Sequence, residues 1–265
     1  MDIKSIKLVC FSPTGTSKTI VQGVAKGISL RNLELIDITN PGARAQPLQV
    51  SENELLVVAV PVYMGRVPAL INAWLNSIKA CNTPVVCIVT YGNRAYENAL
   101  LELKDILISR GCKLIAGGAF IAEHSFSSPE FPSSVGRPDE DDLSLTELFG
   151  QKIAKKLLSI LSIDQISDIN IPGSYPYGGV TELWKVDFIE VSDTCLKCGI
   201  CSEGCPAGAI DSENSSLINI EKCTLCCACI KHCPREARTI KPGPIKEAQK
   251  RCAMFIERKE PEFFL

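Results

Sequence analysis

The 265-residue chain has no excess of basic charge: 28 Lys and Arg stand against 30 Asp and Glu, for a formal net charge of −2. A protein that grips phosphate backbones relies on such an excess, so no nucleic-acid partner is expected. Long apolar runs are missing too. The stretch Leu55 to Val60 is halted by Pro61, far short of the ~20 residues of a membrane helix, so no membrane span is expected. Met1 to Ser5 leads into a core-like strand without the features of a secretory signal, which points to a soluble cytoplasmic protein. Histidine is nearly absent, with only His124 and His232, and no acid-base or nucleophile constellation stands out.

Cysteine is abundant, with 14 residues. In a protein kept reduced these imply metal or redox chemistry rather than a disulfide framework. Cys10, Cys81, Cys87 and Cys112 lie scattered among apolar residues and read as small buried hydrophobes. Nine more crowd between Cys195 and Cys233, and Cys252 stands alone.

Through the first 160 or so residues, short apolar runs alternate with helical periodicity. Leu8 to Phe11, Leu33 to Thr39, Leu55 to Val60, Val85 to Thr90 and Leu114 to Ile121 read as strands. Helices are expected from Thr16, from Pro68, over Ala95 to Arg110 and over Leu143 to about Ile160. Strands that are apolar nearly throughout belong to a parallel sheet covered on both faces, a doubly wound α/β domain over residues 1–161. Asn40 to Asn53, with Pro41, Gly42 and Pro47, is expected as a loop. Pro172, Gly173, Pro176, Gly178 and Gly179 break residues 162–192 into a linker. Residues 193–265 are too small and polar to fold on apolar burial alone and need a staple.

The cysteines are placed to supply it. Cys195, Cys198, Cys201 and Cys205-Pro206 recur at a constant offset as Cys223, Cys226, Cys229 and Cys233-Pro234. Each half is C-x2-C-x2-C-x3-C-P, the run in which three thiolates hold one 4Fe-4S cluster and the fourth crosses to the other. That assigns Cys195, Cys198, Cys201 and Cys233 to one cluster, and Cys223, Cys226, Cys229 and Cys205 to its partner. A pair of structural zincs is the alternative, although zinc sites usually separate their C-x2-C pairs by longer stretches. Cys227 is expected to be a packed thiol. This segment resembles the two-cluster bacterial ferredoxins, and the resemblance implies an α+β domain carrying two 4Fe-4S clusters.

Ser12 to Thr19, "SPTGTSKT", follows a strand and opens a helix, a place built for phosphate. A nucleoside-triphosphate loop needs G-x4-G-K-[ST], and here Pro13 and Ser17 stand where both glycines should be. The hydroxyls of Ser12, Thr14, Thr16 and Ser17 around Gly15 suit one phosphate monoester; an unliganded Ser/Thr-rich cap is the alternative. The loop resembles that of the flavodoxins, which implies FMN and a five-stranded parallel sheet. Ligands of such sheets lie beyond the carboxyl ends of the strands. The resemblance therefore implicates Pro61, Val62, Tyr63, Met64 and Gly65, and Thr90, Tyr91, Gly92, Asn93 and Tyr96, around the flavin ring. Met64-Gly65 resembles the turn whose peptide flips on flavin reduction, with Gly65 at positive φ. Arg66 and Arg94, if close to the ring, should favour the anionic reduced flavin; a solvated surface charge is the alternative for Arg66. The long stretch His124 to Asp142 reads as either a lid at the flavin edge or an ordered surface loop.

Taken whole, the chain resembles flavodoxin-ferredoxin fusion proteins of anaerobic bacteria and archaea. That implies electron relay between FMN and the clusters, with a ferredoxin-, hydrogenase- or reductase-type redox protein as partner. Two alternatives stay open. One is an FMN-dependent reductase of a small substrate such as a quinone, fed by the clusters. The other is an electron-wire subunit of a larger complex, docked through Ile245 to Ile256, unless that helix packs on its own domain.

Overall fold

Residues 55–60 and 83–91 are buried along their whole length, because helices cover both sides of the sheet they enter. The computed structural model describes residues 1–179 and 184–265. Its first part runs β1 (Ser5–Cys10), α1 (Thr16–Ile28), β2 (Leu33–Asp37), β3 (Gln49–Val50), β4 (Glu54–Pro61), α2 (Ala69–Leu75), β5 (Lys79–Ala80), β6 (Thr83–Tyr91), α3 (Ala99–Ser109), β7 (Cys112–Ile121) and α4 (Glu140–Ser159). The remainder carries β8 (Ile189–Val191), α5 (Ile200–Glu203), α6 (Ala228–Lys231), β9 (Arg238–Ile240), α7 (Pro244–Cys252) and β10 (Glu262–Phe264).

Five strands pair in parallel in the order β7-β6-β4-β1-β2. Numbered along the chain, that is 2-1-3-4-5, the flavodoxin-like order, with its switch point between β1 and β4. One face packs Ile20, Val21 and Val24 of α1 and Phe149 and Ile153 of α4 against Leu8, Val57 and Ile88. The other packs Ile71 and Leu75 of α2 and Leu100 and Leu103 of α3 against Val9, Val58 and Val89. Helix α3 begins later than the apolar period suggests, because Asn93 and Glu97 take positive φ and hold 93–98 as a turn. The expected loop 40–53 is broken by a 3-10 turn, Pro41–Arg44, and by β3, which pairs with β5.

A sixth strand joins the expected five. β10 pairs antiparallel with β7, Glu262 opposite Ala119 and Phe264 opposite Gly117. The sequence pattern places this tail with the C-terminal segment, yet its side chains complete the first core. Phe263 stacks on Phe149 at 4.6 Å between centroids and lies 5.6 Å from Phe120. The stretch expected as a linker is also anchored: Ile169 and Ile171 are buried against the α3 side of the sheet, and Tyr177 Oη donates to Asp105 (2.7 Å).

The cysteine repeat is a repeat of backbone as well. Lys197 and Leu225, 28 positions apart, both take positive φ, as do Gly199 and Cys227, which cap α5 and α6. Ala209 N donates to Cys205 Sγ and Ala237 N to Cys233 Sγ, each at 3.3 Å. β8 and β9 pair across the far side. Cys227 is packed, as expected, among Phe188, Leu225 and Ile245.

Candidate functional site

β1 ends at Cys10 and the chain turns through Ser12 to Gly15 into α1. Gly15 caps that helix at φ 90°, a left-handed conformation glycine adopts without strain, and offers no side chain to its amides. Ser12 Oγ accepts from Lys18 N (3.0 Å), and Gly15 N donates to Ser12 O (3.1 Å). The amides of Thr16 and Ser17 have no acceptor among the described residues. Lys18 pairs with Asp37 (3.2 Å), so the loop presents amides, hydroxyls and the helix N-terminus rather than a lysine. Ser17 Oγ meets Thr90 Oγ1 at 2.7 Å in the interior, tying this loop to the end of β6.

Ser12, Thr14, Thr16 and Ser17 line one wall of a small cavity of about 50 Å³ at the sheet's carboxyl end. Pro61, Val62, Tyr63, Thr90, Tyr91 and Gly92 line the other. Val62, Tyr63, Tyr91 and Gly92 continue into a second cavity of about 600 Å³, which Met64 and Gly65 also border. Tyr63 to Arg66 form a tight hairpin with reciprocal 3.0 Å backbone bonds, Met64 at φ 53° and Gly65 at φ 79°.

Two residues expected at the ring have side chains that bond to the C-terminal tail. Asn93 Nδ2 donates to Phe255 O (2.8 Å) and Glu257 O (2.7 Å), and Tyr96 Oη donates to Glu262 (2.9 Å); neither residue lines the two cavities just described. The Asn93 amide nitrogen and the Tyr96 hydroxyl thus hold the C-terminal tail, whose return was not visible in the sequence pattern, while Asn93 Oδ1 is buried without a partner among the described residues. The two arginines are also neutralised. Arg66 makes a two-pronged bond to buried Glu102 (2.8 and 2.7 Å) and lies over Tyr177, while Arg94 borders the cavity but pairs with Glu97.

The loop after β7 supplies Glu123, which no sequence signal singled out, and His124, Ser125 and Phe126 from the start of the long stretch read as a lid or an ordered loop. His124 Nδ1 accepts from Phe126 N (3.0 Å), which leaves the Nε2 proton facing Cys252 Sγ at 3.4 Å. Burial and the nearby Lys231 and Arg94 charges hold its pKa down at about 4. The rest of this stretch is an ordered loop: Arg137 and Asp142 form a buried ion pair, and Arg137 Nη1 donates to Lys259 O (2.9 Å).

The opposite wall of the large cavity comes from the cysteine-rich part: Thr224, Leu225, and Ile245, Ala248 and Cys252 of α7. Helix α7 therefore packs on its own chain, with Gln249 Nε2 donating to Phe126 O (2.6 Å). Only the apolar period of that helix hinted at a buried face.

Cys205, Cys223, Cys226 and Cys229 border one further cavity, and Cys195, Cys198, Cys201 and Cys233 another. Among the described residues no three His, Cys, Asp or Glu converge as a single-ion site. Burial pushes the thiols of Cys226 to about 11 and Cys229 to about 12, so thiolates there require a cationic partner. Buried polar atoms without partners among the described residues border the second space, Ser215 Oγ and Arg238 Nη1, and the Thr224 hydroxyl lies beside the Cys226 thiol at the first. Such atoms cost stability unless something in the space receives them, and the inorganic sulfides and thiolates of a cubane suit that need.

Residues 188–253 match the family described as a 4Fe-4S dicluster domain. No curated protein matches the chain. Among solved structures, the chain is similar to a flavodoxin from the domain Archaea at 13% identity and TM-score 0.41, over 58% of this chain and 99% of that one. It is similar to an apo NADH:FMN oxidoreductase at 15% and 0.42, over 62% and 94%. A Fusobacterium nucleatum flavodoxin bound to flavin mononucleotide matches at 14% and 0.38, over 59% and 98%. By its strand order and its cysteine-rich segment, the chain joins a flavodoxin-like domain to a ferredoxin-type 4Fe-4S domain. Among the described residues no helix is long and apolar enough to cross a membrane.

Proposed function

We propose that this chain relays electrons between one bound FMN and two 4Fe-4S clusters, exchanging them with an external redox protein. One observation carries the reading: Thr224 and Leu225, which stand between the thiols Cys223 and Cys226, are also a wall of the cavity that suits the flavin ring.

The flavin supplies chemistry that takes two electrons or one, and the clusters exchange single electrons. The residues of the chain bind and orient. Thr16 and Ser17 amides with the Ser12 and Thr14 hydroxyls hold the phosphate at the positive end of α1. Tyr63 and Tyr91 flank the ring space, and the Met64-Gly65 turn presents backbone to its edge. Cys205, Cys223, Cys226 and Cys229 hold the inner cluster; Cys195, Cys198, Cys201 and Cys233 hold the outer one. With both parts in one chain, the flavin meets its electron source at an effective concentration no diffusing partner reaches.

A reductase of a small substrate is favoured by one feature: His124, Cys252 and Arg251 all border the large cavity, His124 where it meets the small cavity of the phosphate loop. For a wire subunit docked through Ile245 to Ile256, the buried face of α7 is occupied within the chain, and of that stretch Met254 and Ile256 stay exposed.

Anaerobic purification followed by iron, sulfide and flavin quantification and a spectroelectrochemical titration tests the relay. One FMN and two 4Fe-4S centres per chain, all titrating, support it. Protein without flavin, or with zinc in the cysteine-rich part, overturns it.

A further inference from the structure

We propose that the end of the large cavity between α7 and the turn at 93–98 binds a small aromatic carboxylate, its ring against Phe126 and Phe255 and its acid group on the guanidinium of Arg251. This rests on the reading that one FMN is held at the phosphate loop with its ring flanked by Tyr63 and Tyr91, and it names the class of small molecule that shares the cavity.

The cavity is larger than one ring needs. Its volume of about 600 Å³ equals the liquid volume of roughly 20 waters, more than a planar tricycle displaces. The side shared with the phosphate cavity, where Val62, Tyr63, Tyr91 and Gly92 border both spaces, belongs to the flavin. Phe126, Ile245, Ala248, Arg251, Cys252 and Phe255 border the large cavity and not the small one, so they bound the space that the flavin leaves.

Charge selects the ligand. Among the described residues, the ionised side chains that border the cavity are Arg94, Glu97 and Arg251, and the first two pair with one another. His124 is neutral near pH 7, since burial holds its pKa at about 4, and burial pushes the Cys252 thiol up, so it stays protonated. Arg251 therefore sets the sign of the site. Its side chain makes no hydrogen bond or ion pair among the described residues, and Glu247, one turn back on α7, is taken by Lys250 at 2.7 Å. The fork of a guanidinium matches the two oxygens of a carboxylate, whereas a neutral quinone leaves it unpaired.

The aromatic wall is set before a ligand arrives. The Phe126 ring lies 5.1 Å from that of His124, and the Phe126 carbonyl receives Gln249 Nε2 (2.6 Å). The Phe255 carbonyl receives Asn93 Nδ2 (2.8 Å). A fixed wall keeps the ordering cost of binding low. Phe255 and Arg251 are both exposed, so a ligand reaches this end from solvent without displacing the flavin ring.

The test is equilibrium dialysis of the full, FMN-loaded chain against trans-cinnamate and its neutral isostere cinnamamide, with flavin absorbance followed in the same samples. Cinnamate should bind one per chain with FMN retained, shift the flavin absorbance, and bind at least tenfold more tightly than the amide. Arg251→Gln should remove that preference by weakening cinnamate while cinnamamide stays within about twofold, and Arg251→Lys should keep part of it. Phe255→Ala should weaken both ligands alike, by about three- to tenfold.

No uptake of cinnamate, equal affinity for acid and amide, or a preference that survives Arg251→Gln overturns the assignment. So does release of FMN in step with cinnamate uptake, which would put the ligand in the flavin's own place. Protein that takes up no FMN at all defeats the flavin reading on which the placement rests.

Discussion

Arg44 Nη2 donates a 2.5 Å hydrogen bond to the carbonyl oxygen of Pro206, joining the loop after β2 to the corner of the inner cysteine cavity. The same guanidinium holds Ile38 O (2.5 Å) and Thr39 O (3.0 Å). A single side chain thus fixes the loop after β2 and the Cys205 turn to one another.

Arg44→Ala removes three charge-assisted bonds at once and should cost about 1–3 kcal/mol in urea unfolding of the loaded protein. Iron loss on dilution should fall on one centre only, seen as one of two EPR signals. Arg44→Lys should behave nearly as the alanine variant, since an ammonium lacks the fork that reaches both loops.

Glu102 is almost wholly buried and receives Arg66 Nε, Arg66 Nη2 and Val67 N. Glu102→Ala leaves a half-enclosed guanidinium unpaired and should destabilise by about 3 kcal/mol, whereas replacing both partners by apolar residues should cost far less. Denaturant midpoints of the single and double variants check the difference.

Arg238 is 2% exposed, donates to Ser215 O through Nη2 and leaves Nη1 unpartnered beside the outer cysteine cavity. A buried cation there favours the extra electron. Arg238→Met should lower the potential of the outer centre in an EPR-monitored titration with iron content retained, and Arg238→Lys should restore part of the shift.

His124 titrates near 4 in the folded chain against an ordinary 6.5, so the unfolded chain binds the extra proton between those values. Its contribution to stability is complete above about pH 6.5 and is lost as pH falls toward about 4. In His124→Gln the denaturant midpoint should lose that part of its acid dependence, while the two proteins share the same slope above neutrality.

The doubly wound sheet was legible because its central strands β1, β4 and β6 are apolar nearly throughout, whereas the edge strand β2, Leu33–Asp37, alternates with Glu34 and ends in Asp37. The cysteine repeat was legible because its spacing recurs without a slip, and the backbone repeats with it at Leu225 and Lys197. What stayed hidden was long-range. Nothing near Glu262 signals that it meets Tyr96, and nothing near Phe255 signals that Asn93 bonds to its carbonyl. Both contacts join residues more than 160 positions apart, and they turn the side chains of Asn93 and Tyr96 to the C-terminal tail. The cavity wall at Leu225 was hidden for the same reason: sequence gives each site separately, and their shared boundary is made by tertiary packing.

That shared boundary is the central claim, and the concentration dependence of electron exchange tests it most directly. After pulsed reduction of fully loaded protein, electrons should pass between clusters and flavin in a first-order process whose rate is unchanged over a hundredfold dilution, about the span needed to separate it from a bimolecular step. A rate that falls in proportion to protein concentration would mean that flavin and clusters meet only between molecules, and would contradict the account.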